Sequence, residues 1–207
     1  RSRGLGDVYK RQQLWDKLKN SKRIQFFNVY GPTECTVDSS ICHINISHQS
    51  PNIGKPILNT RFYILDEAFN VCPIGVSGQI FISGKGVTRG YLNRPGLTAE
   101  RFLPDPFLTK SRMYATGDKG RYLSDGSIEF LGRLDTQVKL HGFRIELGEI
   151  EAVLKEHPKV HDTIVILKEG HIIAYIITKE KLKVDEIKAF IGKKLPSYMI
   201  PSAFVFM

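Results

Sequence analysis

The apolar pattern of this chain changes character near Asp135, and that change limits it to two successive folding units. Before Asp135, short apolar and β-branched runs alternate with Gly, Pro or Asn, which predicts the strands of a mainly β region. The predicted strands are residues 24–29, 41–46, 61–65 and 79–83. Asp125-Gly126 stands between two further apolar runs and predicts a hairpin. We therefore expect a mainly β region over residues 13–135.

After Asp135, apolar residues recur at helical spacing and Pro158 closes the run. The residues of this run are Ile145, Leu147, Ile150, Val153 and Leu154. Strands are predicted at 163–167 and 172–178, a second helix at 184–194, and a last strand from Ala203. This β-α-β-β-α-β order predicts a small α+β domain over residues 136–207.

Residues 1–12 have no apolar period and match nothing that follows. We expect them to be a leader or an artefact of the sequence, followed by a short amphipathic helix at 13–19.

Composition excludes several classes of protein. The 207 residues are 42% apolar, which suffices for a real core. No segment resembles a signal peptide or a membrane span, so we expect a cytoplasmic protein without membrane contact. Three cysteines without ligand spacing indicate reduced structural thiols rather than a metal site. The net charge of +9 comes from spread lysines with interspersed acidic residues, which favours solvated faces over nucleic-acid binding.

The most informative segment is Asn28-Val-Tyr-Gly-Pro-Thr-Glu34, at the end of a predicted strand. An aromatic ring there can stack on a nucleobase. A threonine hydroxyl can donate to a phosphate oxygen, and a glutamate can hold Mg²⁺ beside it. Taken alone, the segment is equally compatible with an ordinary turn after a strand.

Further motifs follow in a fixed order: residues 78–92, Tyr114-Ala-Thr-Gly-Asp118, residues 132–139, Gly142-Phe-Arg-Ile-Glu-Leu-Gly-Glu-Ile-Glu151 and residues 195–201. Together with the first segment, this series resembles the later core motifs of adenylate-forming (AMP-binding) enzymes, and specifically nonribosomal peptide synthetase adenylation domains. The resemblance implies that residues 13–135 are the C-terminal part of an α/β adenylation core and that residues 136–207 are its small mobile α+β domain.

The resemblance implies roles for the nucleotide-binding residues. Tyr30 would stack on the adenine of ATP or AMP, with Asn28 near the adenine amino edge and Gly31 shaping the loop. Thr33 would contact the α-phosphate, and Glu34 would hold Mg²⁺.

Three later positions complete this expected site. Asp118 would bind both ribose hydroxyls, Phe130 would pack against the adenine, and Arg133 would lie near the ribose and phosphates. A turn-capping role for Asp118 and a core role for Phe130 stay open.

In the small domain, Asp135 matches the hinge of the family, with a cap or ion-pair role as the alternative. Lys139 and Gly142 match the loop that admits a phosphopantetheine arm. The helix after Glu146 is expected to be structural, with carboxylates that mostly form a solvated face near its N-terminus.

The resemblance implies that an amino acid is joined to AMP and passed to a peptidyl carrier protein among other synthetase domains. Val29, Val37 and Asp38 would line the amino-acid pocket, and a buried Asp38 would favour glutamine, glutamate or ornithine. No Gly/Ser/Thr-rich phosphate loop occurs in the sequence. We therefore expect the chain to be incomplete at both ends, to lack the late catalytic lysine, and to be inactive alone.

Two other functions remain open. One is a stand-alone ligase that joins a fatty or aryl acid to coenzyme A, against which Arg101-Phe-Leu-Pro-Asp-Pro-Phe107 and the first motif argue. The other is a non-catalytic module that binds only a nucleotide or a partner.

Overall fold

The computed structural model describes residues 5–47, 50–140, 142–178 and 180–207, with the side chains of 5–11 and 139 left out. These residues form two compact units, of which the large unit ends at Leu134 and the small unit begins at Asp135. Strands predominate and helices are few, which confirms the expected mixed fold class with its mainly β first part.

The large unit contains two sheets. In chain order its elements are α1 (Leu5–Lys19), β1 (Phe27–Tyr30), β2 (Ser40–His43), β3 (Lys55–Pro56), β4 (Thr60–Leu65), β5 (Gly78–Gly84), α2 (Pro95–Arg101), β6 (Phe102–Pro104), β7 (Arg112–Tyr122) and β8 (Ile128–Arg133). Strands β1, β2 and β3 form one sheet; β4, β5, β7 and β6 lie side by side in the other, with β8 paired to β7. The pairs are antiparallel, and Ile64, Ile80, Ile82 and Ile128 fill the core of the second sheet.

The predicted strands at 61–65 and 79–83 and the Asp125-Gly126 hairpin are confirmed. Three boundaries were wrong. Helix α1 begins at Leu5, earlier than residue 13. Strand β1 begins at Phe27 because the backbone N–H of Phe26 donates to Asn45 Oδ1 at 2.7 Å instead of to a strand. Residues 44–46 form a 3₁₀ turn, in which the Asn45 amide also donates to the carbonyl of Ser21 at 3.0 Å.

The small unit contains a hairpin, a three-stranded sheet and two helices. Its elements are β9 (Gln137–Leu140), β10 (Phe143–Glu146), α3 (Leu147–Lys155), β11 (Val160–Lys168), β12 (His171–Thr178), α4 (Val184–Ile191) and β13 (Ala203–Phe206). Strands β11 and β12 are antiparallel, and β13 lies parallel to β12. The fully buried side chains of Ile150, Leu154, Ile176 and Ile187 join the helices to the sheet.

Two sequence expectations for the small unit need correction. The second helix ends at Ile191 and not at residue 194. Ile145 is a buried strand residue of β10, opposite Val138, because one inward-facing apolar position satisfies the strand period as well as the helical one.

Among the carboxylates of helix α3, Glu151 has a structural contact, since it accepts the backbone N–H of Val165 at 2.7 Å. Strand β11 is an edge strand of its sheet, so the N–H of Val165 on its outer side meets no neighbouring strand. The Glu151 carboxylate satisfies this donor instead.

Within the described residues, no helix is both long enough and apolar enough to cross a membrane.

Candidate active site

Asp118 is the centre of the site in the large unit. It lies on β7, where the register with β5 slips between Gln79 and Phe81, so that extra β7 residues bulge out of the ladder. Gly117 has a φ of 73° in this bulge, a left-handed value that glycine adopts without strain. A bulge re-aims the side chain beside it. The Thr116 hydroxyl accepts the N–H of Asp118 at 3.0 Å, and Asp118 itself is only 7% exposed.

Arg133 faces Asp118 directly across the β7–β8 ladder. Its Nη1 donates to Asp118 Oδ1 at 3.0 Å and to the carbonyl oxygen of Thr116 at 2.9 Å. The side chains of Arg133 and Asp118 are 17% and 10% exposed, so the ion pair is largely shielded from water. Such a charge-assisted pair fixes the geometry of both groups.

Tyr30 connects the first sheet to the Asp118 carboxylate. The residue ends β1, and its phenolic hydroxyl donates to Asp118 Oδ2. The Tyr30 ring lies 6.1 Å from the Phe62 ring and 6.2 Å from the Phe130 ring, centroid to centroid, in tilted contacts. Burial, followed by the Asp118 charge, raises the pKa of Tyr30 well above its ordinary value. Tyr30, Asp118, Phe130 and Arg133, predicted from separate motifs, therefore lie together.

The loop after Tyr30 is shaped by a close crossing of the chain. A Cβ on Gly31 would lie 2.2 Å from the carbonyl oxygen of Val37, so only glycine fits. Thr36 and Val37 both adopt left-handed backbone, and the N–H of Ser39 returns to the carbonyl of Tyr30 at 2.9 Å. This reversal encloses a single 3₁₀ turn, Thr33–Cys35.

The 3₁₀ turn places the predicted phosphate-binding residue, Thr33, and the predicted metal-binding residue, Glu34, in different surroundings. Thr33 is exposed, whereas Glu34 is only 9% exposed. Glu34 Oε1 accepts the hydroxyl of Tyr91 at 2.7 Å. The turn thus presents a hydroxyl to solvent beside an inward-facing carboxylate.

Asn28 lies on β1, two residues before Tyr30, and its Nδ2 donates to the carbonyl oxygen of Asn52 at 2.6 Å. Asn52 is 2% exposed, and its own Oδ1 accepts the N–H of Gly54 at 2.8 Å. Asn28 is therefore held by buried backbone.

The predicted pocket residues do not form an enclosed pocket among the described residues. Val29 and Val37 are 44% and 64% exposed, and Asp38 is exposed as well. Asp38 follows the left-handed residues Thr36 and Val37, which turn the chain outward just before it. A buried Asp38 and a polar amino-acid side chain stay predictions for the complete domain.

The small unit holds the remaining predicted residues. Asp135 Oδ1 accepts the N–H of Gln137 at 3.2 Å, a short turn of the kind that the capping alternative describes. Lys139 pairs with Arg144 in the β9–β10 hairpin, and its side chain lies outside the described residues. Gly142 has a φ of 86°, and a Cβ there would meet no atom within 4 Å.

A magnesium ion fits this set of residues in one particular way. Among the described residues, no three His, Cys, Asp or Glu side chains converge on a metal site. Mg²⁺ commonly uses one or two carboxylates together with the phosphates of a substrate. The single carboxylate of Glu34, which follows Thr33 in the same 3₁₀ turn, suits an ion that arrives with a nucleotide.

Two sequence profiles match the chain: AMP-binding enzyme over residues 10–92 and AMP-binding enzyme C-terminal domain over residues 149–207. Together they cover more than half of its length, and the chain belongs to the AMP-binding enzyme family, whose members form adenylates. Its curated relatives are peptide synthetases, which confirms the resemblance to nonribosomal peptide synthetase adenylation domains.

Three individual matches describe this relationship. Bacitracin synthase 3 of Bacillus licheniformis is 48% identical over 198 residues, which are 92% of this chain and 3% of that protein, so the chain spans only a small part of this relative. NpsA-ThdA of Klebsiella oxytoca, an artificially fused adenylation–PCP di-domain, has a TM-score of 0.73 at 29% identity, covering 93% of this chain and 38% of that one. Adenylation domain AlmE of Vibrio cholerae, solved with glycyl-adenosine-5'-phosphate, has a TM-score of 0.82 at 26% identity, covering 95% and 39%.

Three contacts of the site had not been predicted. Thr116, Tyr91 and Asn52 support Asp118, Glu34 and Asn28 respectively. Thr116 and Tyr91 stand inside recognised motifs, which was an available signal for them. Asn52 stands in no motif, and only the folded chain brings its carbonyl to Asn28.

Proposed function

We propose that the chain is part of an amino-acid-activating adenylation domain. The complete domain joins an amino acid to AMP and passes the aminoacyl group to the phosphopantetheine thiol of a carrier-protein domain. The observation that carries this proposal is the buried Asp118, held between Tyr30 and Arg133. A carboxylate has two acceptor oxygens, which suit the two vicinal hydroxyls of a ribose.

In this mechanism the residues of the large unit bind and orient ATP. Asp118 accepts the ribose hydroxyls, and the rings of Tyr30 and Phe130 hold the adenine. The exposed Thr33 hydroxyl donates to an α-phosphate oxygen, and Arg133 offsets negative charge nearby. Mg²⁺ beside Glu34 would supply further neutralisation of the phosphates.

The chemistry needs little more than this arrangement. An oxygen of the amino-acid carboxylate attacks the α-phosphorus, and the bond from that phosphorus to the pyrophosphate oxygen breaks. Positioning of the reactants and stabilisation of phosphate charge supply most of the acceleration in such a step.

We assign the second half-reaction to the small unit. Asp135 would be the hinge that lets this unit reorient between the two steps, because a short polar residue at a turn absorbs backbone rotation. Lys139 and Gly142 would line the path of the phosphopantetheine arm. Its thiol then attacks the aminoacyl carbonyl, and AMP leaves.

The 207 residues are proposed to be inactive alone, because their sequence contains no Gly/Ser/Thr-rich loop to grip the triphosphate. The test is therefore ATP–pyrophosphate exchange by the complete reading frame with a panel of amino, fatty and aryl acids. Exchange with one amino acid supports the proposal, with glutamine, glutamate and ornithine included in the panel. Exchange with only a fatty or aryl acid would assign the chain to the stand-alone ligases. A folded enzyme that exchanges with no acid would favour a non-catalytic module.

A further inference from the structure

The Glu34 carboxylate is the end of a short chain of hydrogen bonds. The Tyr91 hydroxyl lies 2.7 Å from Glu34 Oε1 and 3.2 Å from the hydroxyl of Tyr114. Tyr91 has one proton, and the carboxylate can only accept it. Tyr114, which is 1% exposed, must then donate to Tyr91. One half-buried phenol, Tyr91, and one buried phenol, Tyr114, therefore point in series at one oxygen of Glu34.

Residues 88–91, the segment that carries Tyr91, also hold the backbone of Glu34. The N–H of Thr88 donates to the carbonyl oxygen of Glu34 at 2.9 Å. Arg112 fixes that segment from its other side, since its Nη1 and Nη2 donate to the carbonyls of Arg89 and Thr88 at 2.8 and 2.9 Å. Residues 88–91 thus contact Glu34 through both its main chain and its side chain.

Tyr91 is itself fixed before it reaches Glu34. Its backbone N–H donates to Thr98 Oγ1 at 3.0 Å, and its ring meets the Phe102 ring edge-on at 5.4 Å. Gly90 has a φ of 141°, and a Cβ there would lie 2.3 Å from Thr98. The tight Gly90–Thr98 crossing therefore sets the direction of the Tyr91 ring.

We propose that Tyr91 is a positioning residue, which holds the Glu34 carboxylate in the orientation that receives the magnesium ion of Mg·ATP. This inference rests on the metal role proposed for Glu34. A tyrosine keeps its proton at neutral pH, since its ordinary pKa is about 10. A fixed hydrogen bond to a ligand carboxylate orients that ligand, and its loss commonly weakens metal binding about 10-fold or more.

The test compares Tyr91→Phe with Tyr122→Phe in the complete adenylation domain. Both variants remove one hydroxyl and keep the ring, but Tyr122 donates to the carbonyl oxygen of Phe62, at 2.7 Å, and not to Glu34. Calorimetry would measure ATP affinity while Mg²⁺ is varied, and again in EDTA. We expect Tyr91→Phe to raise the half-saturating Mg²⁺ concentration about 10-fold and to leave the affinity in EDTA unchanged. Tyr122→Phe should change neither value.

Glu34→Gln separates this inference from the function on which it rests. The proposal expects Glu34→Gln to raise the half-saturating Mg²⁺ concentration, and Tyr91→Phe to add nothing further in that background. A shift with Glu34→Gln but none with Tyr91→Phe would overturn the positioning role alone. No shift with Glu34→Gln would overturn the metal role and the inference together.

An equal loss of affinity with and without Mg²⁺ in Tyr91→Phe would make Tyr91 merely structural. Should Tyr91→Phe not fold, Tyr114→Phe must show a smaller shift of the same kind, and its absence would refute the proposal.

Discussion

The phenolic hydroxyl of Tyr30 donates to one carboxylate oxygen of Asp118, a residue 88 positions further along the chain. Arg133 donates to the other oxygen from the neighbouring strand. The carboxylate is therefore oriented from two sides. Nucleotide hydroxyls that bind Asp118 in the proposed mechanism would meet an acceptor whose position is already set, and pre-organisation of this kind lowers the cost of binding.

Asp118→Asn in the complete enzyme should weaken ATP binding about 10- to 100-fold, since hydrogen bonds to charged groups contribute about 1.5–3 kcal/mol. The amide retains the shape of the carboxylate but has one acceptor oxygen and no charge. Calorimetric titration with ATP would measure the change.

Glu129→Gln is the matched control for Asp118→Asn. It removes the charge from an ion pair on the same two strands, in which Glu129 meets Arg121 Nε at 2.6 Å. This variant should bind ATP as the unmodified enzyme does. If Asp118→Asn did the same, Asp118 would be a turn residue and not a ribose ligand.

Gly31→Ala should destabilise the 207-residue chain by about 1–3 kcal/mol, the usual cost of forcing an extra methyl into a packed site. The new Cβ would lie 2.2 Å from the carbonyl oxygen of Val37, and backbone rather than a flexible side chain would have to move. Gly96→Ala is the control, because a Cβ at that position in α2 meets nothing within 4 Å. It should be neutral or stabilise the helix by up to about 1 kcal/mol. Urea unfolding measures both, and equal midpoints for the two variants would show that the loop tolerates the methyl.

Gly142→Ala in the complete enzyme should leave ATP–pyrophosphate exchange nearly intact and slow the transfer of the aminoacyl group to the carrier thiol. The proposed reason is steric, since the loop needs room for a phosphopantetheine arm. The control is Gly170→Ala, in the turn between β11 and β12. Gly142 and Gly170 have φ values of 86° and 80°, and neither Cβ would meet an atom within 4 Å, so their backbone strain is matched. Equal transfer rates in the two variants would argue that Gly142 does not line the path of the phosphopantetheine arm.

The sequence predicted elements well where local signals are strong. The hairpin at Asp125-Gly126 follows from its turn residues alone, and the strand within Thr60–Leu65 from its apolar run. The predictions failed where a distant partner decides, as when the Asn45 amide replaces strand pairing near Phe26. The site shows the same limit. Motifs identified Glu34 and Asp118, but no local pattern could reveal that Tyr91 and Tyr30 donate to them, because those contacts depend on the order of strands in the sheets.

The three cysteines should react slowly with a thiol reagent at pH 8 in the folded chain. Cys35, Cys42 and Cys72 are 2%, 7% and 6% exposed, and burial raises the pKa of each thiol, that of Cys35 to about 12. The thiolate is the reactive form, so burial suppresses both access and ionisation. Titration with Ellman's reagent should count three thiols only after unfolding in urea. Rapid reaction of any cysteine without urea would contradict its buried position.

The large unit should lose stability as pH rises above about 10, the ordinary pKa of a tyrosine. Burial raises the pKa of Tyr30, Tyr91 and Tyr122, so the folded chain keeps protons that the unfolded chain releases. A group whose folded pKa is raised contributes stability that is fully present below its unfolded pKa and is lost as pH rises through the folded value. Each such proton lowers the free energy of unfolding by at most about 1.4 kcal/mol per pH unit. Urea unfolding of the 207-residue chain at pH 8, 9, 10 and 11 would measure the slope, and Tyr122→Phe should make it shallower above pH 10. The same slope with and without the Tyr122 hydroxyl would mean that this phenol ionises as easily in the folded chain as in the unfolded one.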